Sequence, residues 1–193
     1  MPDFKGFGNN KEMEKPYSLS DYCEDIKAYI KEKGLVKPHV IAHSFGGRVA
    51  VKLASENPEL FDKIVLTGSA GLKPKRSVKY HLKRFAFKVA RFFISKEKLT
   101  RFYSKDYLSL SPIMRESFVK IVNEHLDDRL KLISNPTLII FGNKDKETPL
   151  YMAKKLNKNI KNSKLVIIKQ AGHFAFIDCP EKFNWEVEEF LLR

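Results

Sequence analysis

Ser44, Asp145 and His173 are the residues of this chain whose types and settings suit one piece of chemistry. A serine hydroxyl is a weak nucleophile until an imidazole takes its proton. A carboxylate behind the imidazole fixes its tautomer and steadies the cation that forms. All three residues follow short apolar runs. Val40-Ile41-Ala42-His43 breaks at Ser44 and resumes past Gly46 and Gly47 with helical spacing, which reads as strand, sharp turn and helix with the serine at the apex. Such a turn holds the serine oxygen clear of the backbone, and the helix N-terminus beyond it favours developing negative charge. The run 136–142 leads into Asp145, and the run 164–169 leads through Gly172 to His173.

These residues need a scaffold that brings strand ends together, and the rest of the chain reads as one. Ser18 can cap a helix, with Asp21 three residues on and Leu19, Tyr22, Ile26, Tyr29 and Ile30 forming its apolar face, and Gly34 ends it. A strand over 38–43 precedes the serine turn, the helix after it carries Val49, Leu53 and Ala54, and Asn57-Pro58 stops that helix. A second buried strand spans 63–68. From 72 to 132 no strand pattern is present. Val78, Leu82, Phe85, Val89 and Phe92 recur at helical spacing, and 113–126 gives further helix, so this stretch reads as a helical cap inserted between strands. Strands over 136–142 and 164–169, with helices over 150–156 and 180–192, complete the order. Alternating helices and strands imply an α/β fold with a mainly parallel sheet of about four strands. In such sheets sites lie at the carboxyl ends of strands, where all three residues fall.

At 193 residues, with 43% hydrophobic side chains, the chain is long enough for one sizeable core, and a single domain over 1–193 is expected. The net charge of +13 would suit nucleic acid if a binding module accompanied it, but none is readable; lysines spread over a solvated surface account for it. Between Lys73 and Arg101 Glu97 is the sole acid, so a basic helix over 77–99 could touch an anionic membrane, though a cap with its charges in water is the favoured expectation. Cys23 and Cys179 have no metal-ligand spacing, which fits a reducing cytoplasm. No apolar run approaches the roughly 20 residues of a membrane span.

Four stretches in order resemble the α/β-hydrolase fold, in its single-domain serine esterase form with a helical cap. Asp3-Phe4-Lys5-Gly6-Phe7-Gly8 is similar to the family's D-x-x-G-x-G loop. His43-Ser44-Phe45-Gly46-Gly47 is similar to its nucleophile elbow, with Ala42 in place of the first glycine of G-x-S-x-G. Gly142-Asn143-Lys144-Asp145 with Thr148-Pro149 is similar to its acid loop, and Gly172-His173 to its histidine loop. The resemblance implies a serine hydrolase that cleaves a small ester, thioester or activated carbon–carbon bond through an acyl-enzyme. Ser44 would be its nucleophile, His173 its base and then acid, Asp145 its acid, and the Phe45 backbone N–H an oxyanion donor. Asp178 and Glu147 stand as alternative acids, and His43, His81 and His125 as structural or surface residues. No cofactor or metal is implied, the partner being a small-molecule substrate. The family's first strands and its histidine-glycine oxyanion loop have no counterpart here. The expectation is either a sequence that starts at an internal methionine of a longer protein or a genuine short chain that is inactive or assembled with something else. Loss of the neighbouring strands would leave an apolar sheet edge unpaired.

Overall fold

The computed structural model describes residues 2–75 and 105–192, and its elements run in chain order as follows. Helix α1 (Leu19–Glu32) leads to strand β1 (Val40–His43), helix α2 (Phe45–Glu56) and strand β2 (Ile64–Thr67). Helices α3 (Lys105–Ser109) and α4 (Pro112–Asn123) and the 3-10 helix Asp127–Leu132 precede strand β3 (Thr137–Gly142). Helix α5 (Leu150–Asn159), strand β4 (Ser163–Ile168), and helices α6 (Ala175–Asp178) and α7 (Pro180–Leu192) follow. The helix expected over 78–92, and with it most of the basic segment, lies outside the described residues. Between β2 and β3 the described residues hold helices and no strand.

The four strands pair in parallel in the order β1-β2-β3-β4, which is also their order in the chain. Because the sheet advances in one direction, right-handed crossovers send α2 and α5 to the same face. That face carries the larger core, in which Ile64, Leu66, Ile139 and Phe141 meet Leu53 of α2, Leu156 of α5 and Leu19 and Tyr22 of α1. The alternate residues Val65, Leu138 and Ile140 face the other way and pack under Phe183 and Val187 of α7. Strands covered on both faces need apolar residues at every position, which is why β2 and β3 read as unbroken apolar runs.

β1 is different, because among the described residues it has a paired strand on one side only. Its Val40 N–H donates to Lys63 O at 2.9 Å, and the Ser44 N–H beyond its end donates to Thr67 O at 3.1 Å. A parallel ladder bonds alternate residues, so the backbone groups of Ile41 and His43 turn away from β2. Ile41 is 53% exposed.

Local signals account for the helix ends. Ser18 and Asp21 form a reciprocal capping box at the start of α1. Helix α4 is tied to α2 by buried cations: Arg48 Nη1 donates to the carbonyls of Ile121 (2.5 Å) and Glu124 (2.6 Å), and Lys52 pairs with the Glu124 carboxylate. Carbonyls at a helix C-terminus have spare accepting capacity: Ile121 O already takes the Glu124 N–H at 3.2 Å, and Arg48 adds a charged donor to it and to Glu124 O.

Candidate active site

Ser44 lies between β1 and α2 with φ 50° and ψ −110°, a backbone conformation that side-chain-bearing residues rarely adopt. Bonds on both sides hold it there. Its N–H reaches the last residue of β2, and its carbonyl accepts from the N–H groups of Ala70 (3.0 Å) and Arg48 (3.3 Å). The start of α2 presses so closely on the β2 loop that a Cβ on Gly47 would lie 2.3 Å from Ser69 Oγ. Phe45 opens α2, so its N–H is one of the first-turn amides that have no intrahelical acceptor. Its ring is clasped by Phe4, Phe7 and Tyr22, with centroids 5.3, 5.6 and 5.0 Å away. The Tyr22 hydroxyl donates to Lys5 O at 3.0 Å, fixing the loop that carries Phe4 and Phe7.

The loops after β3 and β4 are latched to each other. Lys144 N–H donates to Ala171 O (2.8 Å), and Asn143 N–H to Ile168 O (3.0 Å). Gln170 N–H donates to Asn143 Oδ1 at 2.7 Å. Gly142 sits so close to the histidine loop that a Cβ there would meet Gly172 O at 2.2 Å and Ala171 O at 2.3 Å. The latch brings Asp145 Oδ2 within 2.9 Å of His173 Nδ1. A carboxylate only accepts, so Nδ1 donates, and Nε2 is the nitrogen left to exchange a proton elsewhere. Asp145 Oδ2 also accepts the Thr148 hydroxyl (2.7 Å), while Oδ1 accepts the N–H groups of Glu147 (2.9 Å) and Thr148 (2.8 Å). Burial is the largest single influence on this carboxyl and pushes its pKa up. The bonds from Thr148 and His173 together outweigh it and hold the group below the usual carboxylate range.

Gly68, at φ +49°, comes so near the His173 ring that a Cβ would lie 3.1 Å from Nδ1. The end of β2 is thereby bracketed, bonded to Ser44 through Thr67 and packed on His173 through Gly68. Of the residues named from sequence, Asp145 and His173 are joined directly, and Ser44 and Phe45 stand at the end of β1, with β2 between it and β3. Among the described residues no hydrogen bond links Ser44 Oγ to His173. Nε2 faces the exposed Glu147 carboxylate at 3.3 Å instead. In resting sites a nucleophile–base bond is often long and tightens only when substrate binds.

Glu147 and Asp178, the alternative acids, have other places. Glu147 lies on the Nε2 side of the ring, and Asp178 Oδ2 accepts Gly172 N–H at 2.7 Å, shaping the turn before His173. His43, expected as a structural or surface residue, has its Nε2 3.1 Å from His173 O, with the two rings 4.7 Å apart. His125 belongs to the connection between α4 and the 3-10 helix, and His81 lies outside the described residues. Thr148 is the other residue that the sequence did not single out for a role; an Asp-x-x-Thr turn, in which an aspartate caps later N–H groups, is the signal that could have found it.

An open apolar groove of about 720 Å3 has His43, Ser44 and Phe45 on its wall. It continues past Val40 and Ile41 to Phe183, along the flank of β1 that no described strand pairs with. Among the described residues no helix is long and apolar enough to cross a membrane, and no group of three or more potential metal ligands occurs.

The family profile described as alpha/beta hydrolase fold matches residues 1–93 and 72–180. The chain belongs to the alpha/beta hydrolase fold family. This alpha/beta hydrolase is 26% identical over 211 residues to the AB hydrolase superfamily protein YisY of Bacillus subtilis, covering 97% of this chain and 79% of the relative. It is 27% identical over 216 residues to the 2-hydroxymuconate semialdehyde hydrolase of Pseudomonas putida, covering 98% of this chain and 75% of the relative. Among solved structures, the meta-cleavage product hydrolase of Pseudomonas fluorescens IP01 superposes with a TM-score of 0.71 at 25% identity, covering 98% of this chain and 78% of that one. These relatives are named hydrolases, which makes the chain an alpha/beta hydrolase enzyme.

Proposed function

We propose that this enzyme hydrolyses a small ester, thioester or activated carbon–carbon bond through an acyl-enzyme on Ser44. The observation that carries the proposal is the 2.9 Å bond between Asp145 and His173 Nδ1, held in latched loops beside the elbow. Ser44 gives its proton to His173 Nε2 as its oxygen attacks the substrate carbonyl. The oxyanion that forms is met by the Phe45 N–H, and one such preorganised donor is worth about 10² to 10³ in turnover. Asp145 keeps the ring oriented and offsets the charge that it gains. His173 then returns the proton to the leaving group, and a water repeats the sequence to release the acid. For Nε2 to serve Ser44, the Glu147 side chain must swing aside, and its exposed position leaves it free to do so. The relatives named as a 2-hydroxymuconate semialdehyde hydrolase and a meta-cleavage product hydrolase support a small-molecule substrate.

A fluorophosphonate probe tests the reading. Covalent labelling of Ser44 that vanishes in Ser44→Ala is expected, and an unlabelled folded chain overturns it. The Glu147 contact at Nε2 favours a second reading, a site that binds a ligand without turnover. Hydrolysis of p-nitrophenyl acetate that is lost in Ser44→Ala would exclude that reading.

A further inference from the structure

β1 and β4 are opposite edges of the sheet, yet Ser44 follows the first and His173 belongs to the loop after the last. With strands about 4.8 Å apart, the histidine loop must reach back across roughly 14 Å to meet the elbow. Its near end is fixed on the β3 side by the bonds of Asn143, Lys144 and Asp145 described above. On the elbow side the tether is His43, whose Nε2 lies 3.1 Å from the His173 carbonyl. A carbonyl only accepts, so Nε2 of His43 carries the proton. The ring is half-buried and wedged against His173 (4.7 Å), Phe174 (5.1 Å) and Phe176 (5.1 Å). Burial, the largest influence, lowers the pKa of His43 and favours the neutral ring, against the opposing effect of its bond to His173 O.

We infer that His43 is a positioning residue: by donating from the elbow to the His173 backbone it sets the separation of Ser44 from His173. Asp145 fixes how the imidazole is turned, and His43 fixes how far it stands from the nucleophile. This inference rests on the proposed function, since it concerns the pair that would exchange the proton. It requires a donor at this position and not merely a flat ring, which separates it from a packing role.

Two substitutions in the full 193-residue chain divide those roles. His43→Phe keeps a ring among Phe174 and Phe176 and removes the donor, and His43→Gln keeps an N–H at the end of the side chain. Displacement by about 1 Å costs about 10² in rate, so His43→Phe should slow both Ser44 labelling and kcat for p-nitrophenyl acetate by about that factor. KM should stay within about twofold, because what is lost acts on the chemical step and not on substrate binding. His43→Gln should recover most of the rate. Nitrogen-detected NMR of the wild type at neutral pH should show the His43 ring protonated at Nε2, a readout that needs no activity and no variant. A His43→Phe protein as fast as wild type, or a His43 ring protonated only at Nδ1, overturns the positioning role alone. A wild-type chain that the probe does not label overturns the proposed function and this role with it.

Discussion

Gly142 is the residue at which a single methyl group should push the histidine loop away from the acid loop. An added Cβ would stand 2.2 Å from Gly172 O and 2.3 Å from Ala171 O, both backbone atoms that cannot rotate away. An ordinary contact between carbon and carbonyl oxygen is about 3.3 Å or longer, so in Gly142→Ala the histidine loop must retreat by about 1 Å. That retreat strains the Lys144 N–H to Ala171 O bond and shifts His173, two residues further on. Overpacking of this kind costs about 1 to 3 kcal/mol of stability. The misplacement of the imidazole should lower kcat by about 10². Purified Gly142→Ala would be compared with wild type by urea unfolding and by p-nitrophenyl acetate hydrolysis, with Ser44→Ala as the blank. A variant that unfolds at the wild-type midpoint and turns over at the wild-type rate would refute the claim that this approach sets the site. A variant destabilised as expected but fully active would refute the link from the latch to His173.

Asp145→Asn replaces the acceptor of Nδ1–H with a group that can present a donor, and kcat should fall by about 10⁴, measured in the same assay. Glu147→Gln removes the carboxylate at Nε2 without touching the Asp145 bond, so probe labelling of Ser44 should be as fast as in wild type or faster; a loss beyond about tenfold would mean that Glu147 works with the base. Alkali should destabilise the fold. Burial, the largest influence on each, raises Tyr22 from 10.0 to about 12 and Cys23 from 9.0 to about 12. The unfolded chain therefore gives up these protons first as pH rises, and stability should decline from about pH 9 toward pH 12, by at most about 1.4 kcal/mol per pH unit per group. Urea midpoints that stay level between pH 8.5 and 10.5 would contradict this.

The sheet was legible because its inner strands are buried on both faces, which forces apolar runs such as Ile64-Val65-Leu66 and Leu138-Ile139-Ile140-Phe141. Ser44, Asp145 and His173 could be placed after strands because each follows an apolar run in the sequence, although the edge strands β1 and β4 are only partly buried. Other features were not legible. Helix α5 continues to Asn159, beyond the expected end at residue 156, because Asn157, Lys158 and Asn159 are polar and leave no apolar signal. Helix α6 carries no side-chain cap, and its one buried side chain, Ala175, gives no helical period. The bond between His43 and His173 joins residues 130 apart, and Thr148 reaches across to His173 Nδ1 at 3.4 Å. The first depends on a sheet that carries its opposite edges toward one point, the second on the pairing of the neighbouring strands β3 and β4, and neither long-range contact is encoded by local spacing. Asp178 shows the converse limit. As an acid near a histidine it was a reasonable candidate for the charge relay, and only its bond to Gly172 N–H reveals that it shapes the turn.

The flank of β1 that no described strand pairs with ties two matters that most sheets keep apart. The backbone groups of Ile41 and His43 that look away from β2 open onto the groove that Ser44 and Phe45 line. Any strand that paired with β1 would therefore form a wall of the groove beside Ser44. Shielding the sheet from unwanted association and choosing which substrate fits are, at this edge, a single structural event. The chemistry of whatever segment lies there would be written into the specificity of the enzyme.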